Sequence, residues 1–183
     1  MFSKKTATGL ALLFVLFAAT ASPASEIALM SVGQSPDAMM VRVILKRMKI
    51  EPYYKSSLEV NELADNKVLV AVIGGSAKGL GAAGIKKEQE MERAQKVFDA
   101  AKSKGIHILV MHVGGEPRRG ELSDFFVNGS VFYGEKIIVV KGGNNDGLFD
   151  KLKGADVPIV MVDKIQNTQE PLLSDLKEWG IAF

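Results

Sequence analysis

Five short apolar runs divide the chain: IALMSV at residues 27–32, KVLVAVI at 67–73, IHILVMHV at 106–113, KIIVV at 136–140 and PIVMV at 158–162. Each is rich in Val and Ile and nearly continuous rather than alternating. Strands covered on both faces, as in a parallel sheet, have this look. The first four run into glycine or polar turns (VGQSPD, GGSAKG, GGEPRRG, KGGNNDG), and the fifth into Asp163 and Lys164.

Between the runs the apolar spacing shifts to the helical period. Over residues 35–48, Met40, Val41, Ile44, Leu45 and Met48 share one face,. Ser35 before Pro36 is a helix start, pairing a capping hydroxyl with a ring whose missing N–H is not needed there,. Residues 86–104 put Met91, Ala94, Val97, Phe98 and Ala101 on one face, and Gly105 is a suitable stop,. Shorter helices are expected at 121–127, 147–152 and 169–179, and a weak sixth strand at 53–58. The alternation predicts one α/β domain over residues 25–183. It is expected to be a three-layer sandwich with a mostly parallel sheet of five or six strands, order 2-1-3-4-5 and right-handed crossovers,.

Residues 1–24 stand apart. Lys4 and Lys5 precede an apolar stretch over 10–19, then small residues at Ala19-Thr20-Ala21 and Ser22-Pro23-Ala24. That is the layout of a secretory signal peptide, and the run is short of the roughly 20 residues a bilayer span needs. Export to the periplasm or the extracellular space is therefore expected, with no stable membrane insertion once the leader is removed.

Composition narrows the classes. Of the 183 residues 47% are hydrophobic and 24% charged, which fits a globular chain and excludes low-complexity disorder,. The formal net charge of +2 comes from Lys4 and Lys5, so the remainder is balanced and gives no electrostatic footing for nucleic acid,. Absence of cysteine excludes thiol catalysis, a lipid anchor on cysteine and zinc-thiolate sites,. His107 and His112 are five apart on a strand and point to opposite faces; no metal and no cofactor is expected,.

In open parallel sheets ligands bind beyond the carboxyl ends of the strands, where helix N-termini present unpaired N–H groups. The turns there supply the candidate ligand-binding residues: Gln34, Ser35, Gly75, Ser76, Lys78, Gly79, Arg118, Arg119 and Asn144. Turn residues also serve chain reversal and capping alone, and Asn144 suits a cap before the helix at 147. The stretch VIGGSAKGLGAAGI at 72–85 contains a literal GxGxxG at 79–84. It begins five residues past Gly74, and the following strand ends His112-Val113-Gly114-Gly115 with no acidic residue for a ribose,. No Tyr-x-x-x-Lys pair and no GK[ST] occur either. Dinucleotide and P-loop readings therefore fail, and anion binding by backbone N–H groups, Ser76 and Lys78 remains, with Arg118 and Arg119 offering a fork from the next loop.

A serine hydrolase is the alternative: Ser35, His112 and Asp163 each end a strand and would form a relay across one edge,. No GxSxG elbow supports it,. An interaction or scaffold domain with purely structural loops is the third reading. The leading expectation is an exported binder of a small anionic molecule, with a membrane transporter as partner.

Four segments carry a resemblance: residues 32–43 around VGQSPD, 72–85, HVGGEPRRGELSD at 112–124 and VVKGGNNDG at 139–147. With these the chain resembles the exported bacterial family of unknown function numbered 6305. The resemblance implies an exported Rossmann-like or flavodoxin-like domain and brings no activity and no catalytic residues.

Overall fold

The computed structural model describes residues 25–182; the expected leader lies outside the described residues. Six strands, β1 (Ile27–Val32), β2 (Tyr53–Tyr54), β3 (Val68–Ile73), β4 (His107–His112), β5 (Lys136–Val140) and β6 (Ile159–Val162), form one parallel sheet in the order β2-β1-β3-β4-β5-β6. All six residues of β1 and of β3 are buried, as their unbroken apolar runs require. The fold is a three-layer α/β sandwich of the Rossmann-like, flavodoxin-like kind. Counted over the five long runs, the expected order would leave β3 at an edge. It lies beside β1 inside the sheet, and the order holds once the two-residue β2 is taken as the second strand.

The helices are α1 (Asp37–Arg47), α2 (Ala77–Ala83), α3 (Lys87–Ser103), α4 (Glu121–Asn128), α5 (Leu148–Leu152) and α6 (Gln169–Glu178). Alternate strand residues sort into two cores, one under α1 and α6, the other under α3, α4 and α5. In the first, Val41 and Leu45 meet Leu29 and Val70; in the second, Phe98, Phe126 and Phe149 are fully buried against Met30, Ala71 and Val110. Helix α2 was not expected from the glycine-rich turn. Ser76 starts it by accepting the Gly79 N–H at 3.0 Å, Leu80 is buried beneath it, and Gly84 ends it in the left-handed region at φ +67°,.

His107, the first residue of β4, is part-exposed. Its ring stacks on Trp179 at 5.0 Å, and its Nδ1 lies 2.8 Å from Glu135. Among the described residues no helix is long and apolar enough to cross a membrane.

Candidate functional site

The strand order reverses direction at β1, with β2 on one side and β3 on the other. The turns leaving β1 and β3 are joined there. Gln34 and Gly75 form an isolated antiparallel bridge, and the Ser76 N–H donates to the Gly33 carbonyl at 2.9 Å. Two backbone features make the join tight. Gln34 is held at φ +59°, a left-handed conformation that costs a non-glycine residue about 1–2 kcal/mol,. Gly79 approaches so closely that a Cβ there would lie 2.1 Å from the Gln34 carbonyl oxygen. The Gln34 side chain reaches the turn after β2, donating to Ser57 Oγ at 3.0 Å.

These three turns border an open cavity of about 730 Å³. Its polar lining comes from Gln34, Ser35, Ser56, Ser57, Ser76 and Lys78. Pro36, Met39, Tyr54, Ala82 and Ala83 supply an apolar wall. Lys78 is the only charged residue in the lining, and it makes no ion pair among the described residues. Of the candidates, Gln34, Ser35, Ser76, Lys78 and Gly79 meet here. Gly75 adjoins them, its N–H donating to Ser123 Oγ at 3.0 Å.

The other three candidates stand elsewhere. Arg118 turns to Asp37, the buried carboxylate in the first turn of α1, with Nε 3.5 Å from Oδ1. Its alkyl chain lies over Gly114, where a Cβ would fall 2.0 Å from Arg118 Cγ. Arg119 clasps two loops. It donates to Asp124 Oδ1 at 2.6 Å, to the Gly143 carbonyl at 2.5 Å and to both Asp146 oxygens at 3.0 and 2.9 Å. The hydrogen bonds from Arg119 lower the Asp146 pKa to about 2, and Asp146 with Asp124 drives the Arg119 pKa further up. Asn144 caps α5, its Oδ1 accepting the Phe149 N–H at 2.9 Å while Nδ2 donates to Asp150. So the neighbouring loop does not bring an arginine fork to Lys78.

Nor do Ser35, His112 and Asp163 form a relay. Ser35 Oγ accepts the Asp37 N–H at 3.0 Å. His112 is buried with Nδ1 3.0 Å from the Ile73 carbonyl and Nε2 3.2 Å from the Gly115 carbonyl, so neither ring nitrogen faces a nucleophile. Asp163 is exposed and faces Lys141 at 3.6 Å. Among the described residues no group of three or more potential metal ligands is gathered.

Beneath the cavity lies a pair the candidate list missed. Glu90, fully buried in α3, accepts the Gly33 N–H at 3.0 Å and is bound by Arg93 through Nε and Nη2, both at 2.8 Å. Arg93 also donates to the Ser31 carbonyl at 2.9 Å and, across to the segment after β2, to the Leu58 carbonyl at 2.6 Å. The sequence carries a signal for it. Glu90 stands four and seven residues before Ala94 and Val97, on the stripe that faces the sheet,.

Comparison with curated proteins and with solved structures gives no match. A family profile described as "Domain of unknown function (DUF6305)" matches residues 24–175. The matched span takes in the whole sheet, the three turns around the cavity and the Glu90–Arg93 pair below it, and on that match the chain belongs to the DUF6305 family.

Proposed function

We propose that the chain binds a small organic anion in the cavity at the ends of β1 and β3. Its negative group sits at Lys78 and Ser76, and its apolar body rests against Met39 and Tyr54. The observation that carries this reading is the lining itself: one unpaired cation, several hydroxyls, no carboxylate, and an apolar wall. The one buried carboxylate on the adjoining turn, Asp37, has Arg118 beside it. The volume lies within the roughly 300–1,000 Å³ range of small-molecule pockets,. Charge-assisted hydrogen bonds of about 1.5–3 kcal/mol each, with about 0.8 kcal/mol per buried methylene, reach the ~8 kcal/mol of a micromolar ligand. On the same reading the protein works outside the cytoplasm, after loss of residues 1–24, and passes its solute to a membrane transporter. Support for that part comes from the leader pattern of Lys4, Lys5 and the apolar stretch behind them,.

Titration calorimetry and thermal shift with acetate, hexanoate, benzoate, benzamide and inorganic phosphate test the reading. Hexanoate is expected to bind tighter than acetate by about fourfold per added methylene that is buried. Benzamide is expected to bind at least about tenfold more weakly than benzoate, and Lys78→Ala to remove that difference. If no anion stabilises the protein, or if Lys78→Ala binds benzoate as before, the reading is overturned.

A further inference from the structure

Asp37 is a carboxylate that the cavity does not use. It stands in the first turn of α1, only 2% exposed, and its Oδ2 has no hydrogen-bond partner. Neither Asp37 nor Arg118 lines the cavity. Their place is the middle of the carboxyl edge of the sheet, where β1, β3 and β4 run side by side. Glycines follow both neighbouring strands there. A Cβ added to Gly74 would lie 3.1 Å from Asp37 Oδ2, and so would a Cβ added to Gly114. The carboxylate therefore rests against bare backbone on two sides.

Arg118 is a poor partner for it. Its Nε stands 3.5 Å from Oδ1, beyond the roughly 2.7–3.2 Å of an N–H···O bond, and its guanidinium makes no hydrogen bond among the described residues,. The Gly114 Cβ position that lies 3.1 Å from Oδ2 lies 2.0 Å from Arg118 Cγ, so methylenes rather than N–H groups stand over the orphaned oxygen. That oxygen has given up water and gained nothing in exchange. The Arg118 side chain is 41% exposed and leaves a short turn at Glu116–Arg118, so it can lift away without unpacking the core. Its neighbour Arg119 has no such freedom, being bound by Asp124, Gly143 and Asp146.

Lifting Arg118 leaves a carboxylate on the floor and a guanidinium with all its donors free at the rim. A lone cation would only take the place of Arg118 and leave the guanidinium beside it. A lone anion would pair with Arg118 and face Asp37. A molecule with an ammonium and a carboxylate on one carbon suits both. Its ammonium N–H groups reach the Asp37 oxygens, and its planar carboxylate takes two parallel bonds from the guanidinium. We infer that Asp37 and Arg118 form a second binding site, closed by Arg118 itself, for the zwitterionic head of a free α-amino acid. The ammonium sits on Asp37, the carboxylate under Arg118, and the bare backbone at Gly74 and Gly114 leaves room for the head between them. The site is separate from the cavity at Lys78 and does not depend on it.

An NMR titration with L-alanine, and with propionate and ethylammonium as its two halves, reads the site through the amide signals of Gly74 and Gly114. L-Alanine is expected to shift both signals to saturation, and each half to bind at least about tenfold more weakly. Arg118→Gln, which keeps the stem and removes the fork, is expected to weaken L-alanine by about tenfold or more, and so is Asp37→Asn. Circular dichroism checks the fold of both variants; should Asp37→Asn not fold, Arg118→Gln decides alone. Lys78→Ala is expected to bind L-alanine unchanged, whatever becomes of benzoate in the cavity. The inference is overturned if L-alanine leaves the Gly74 and Gly114 signals in place at millimolar concentration, or if propionate or ethylammonium binds as well. It is equally overturned if Arg118→Gln binds L-alanine like the wild type, or if Lys78→Ala abolishes that binding.

Discussion

Gly79 and Gly81 sit two residues apart in α2, yet a methyl group added to each meets different surroundings. At Gly79 it would overlap the Gln34 carbonyl at 2.1 Å, whereas at Gly81 nothing lies within 4 Å. Gly81→Ala is therefore expected to stabilise the protein by about 0.5–1 kcal/mol, the ordinary gain of alanine over glycine in a helix. Gly79→Ala is expected to destabilise it by about 1–3 kcal/mol and to loosen the cavity, since the clash is with backbone. Denaturant melts of the two variants check the pair, and opposite signs are the expected outcome. The literal GxGxxG at 79–84 thus has a structural use for its first glycine, close approach, and for its last, the left-handed helix end at Gly84. Only coordinates separate those uses, because a glycine leaves the same mark in a sequence whether it makes room or makes a turn. The same holds for Arg118 and Arg119. Their spacing places them on the rim, but whether each meets a ligand depends on Asp37, Asp124 and Asp146, which come from separate parts of the chain.

Among the elements, the strands and long helices were legible because burial dictates their pattern. A run such as VLVAVI can be covered only on both faces, and the stripe Met91, Ala94, Val97, Phe98, Ala101 can face only one way,. Helix α2 was not, since two glycines in seven residues argue against a helix and packing of Leu80 overrides that preference,. Between elements, the Arg119 clasp joins the loop after β4 to the loop after β5. Asp146 in it titrates near 2, below the usual aspartate value, chiefly through its hydrogen bonds from Arg119. A depressed carboxyl pKa contributes stability that is complete above the unfolded value near 4 and fades as pH falls through the folded one. The melting-temperature gap between wild type and Asp146→Asn is therefore expected to be steady from neutral pH to about 4 and to close toward pH 2. Because Asp146 is largely exposed the gap is small, and it shrinks further in high salt,.

At the scale of the whole molecule, the buried Glu90–Arg93 pair links α3, the end of β1 and the segment after β2. Arg93→Ala leaves a carboxylate in the interior without its partner and is expected to cost about 3–5 kcal/mol, read as a lowered urea midpoint. Glu90→Gln/Arg93→Met removes both charges together and is expected to recover most of that loss. The general architecture could be read from the alternation of strand and helix patterns, and the weak strand expected at 53–58 is present as β2, shortened to Tyr53–Tyr54. Two residues carry no periodicity, and Tyr53 and Tyr54 join the sheet because Ala28 and Leu29 stand beside them.

Arg93 holds the Ser31 carbonyl with one end of its guanidinium and the Leu58 carbonyl with the other, so the end of β1 and the segment after β2, which lead into two of the turns around the cavity, share a single brace. On the binding role proposed above, a guest would meet turns already tied together, and little of its affinity would go to ordering loops; rapid capture and a heat-capacity change set by the guest's own desolvation are then expected.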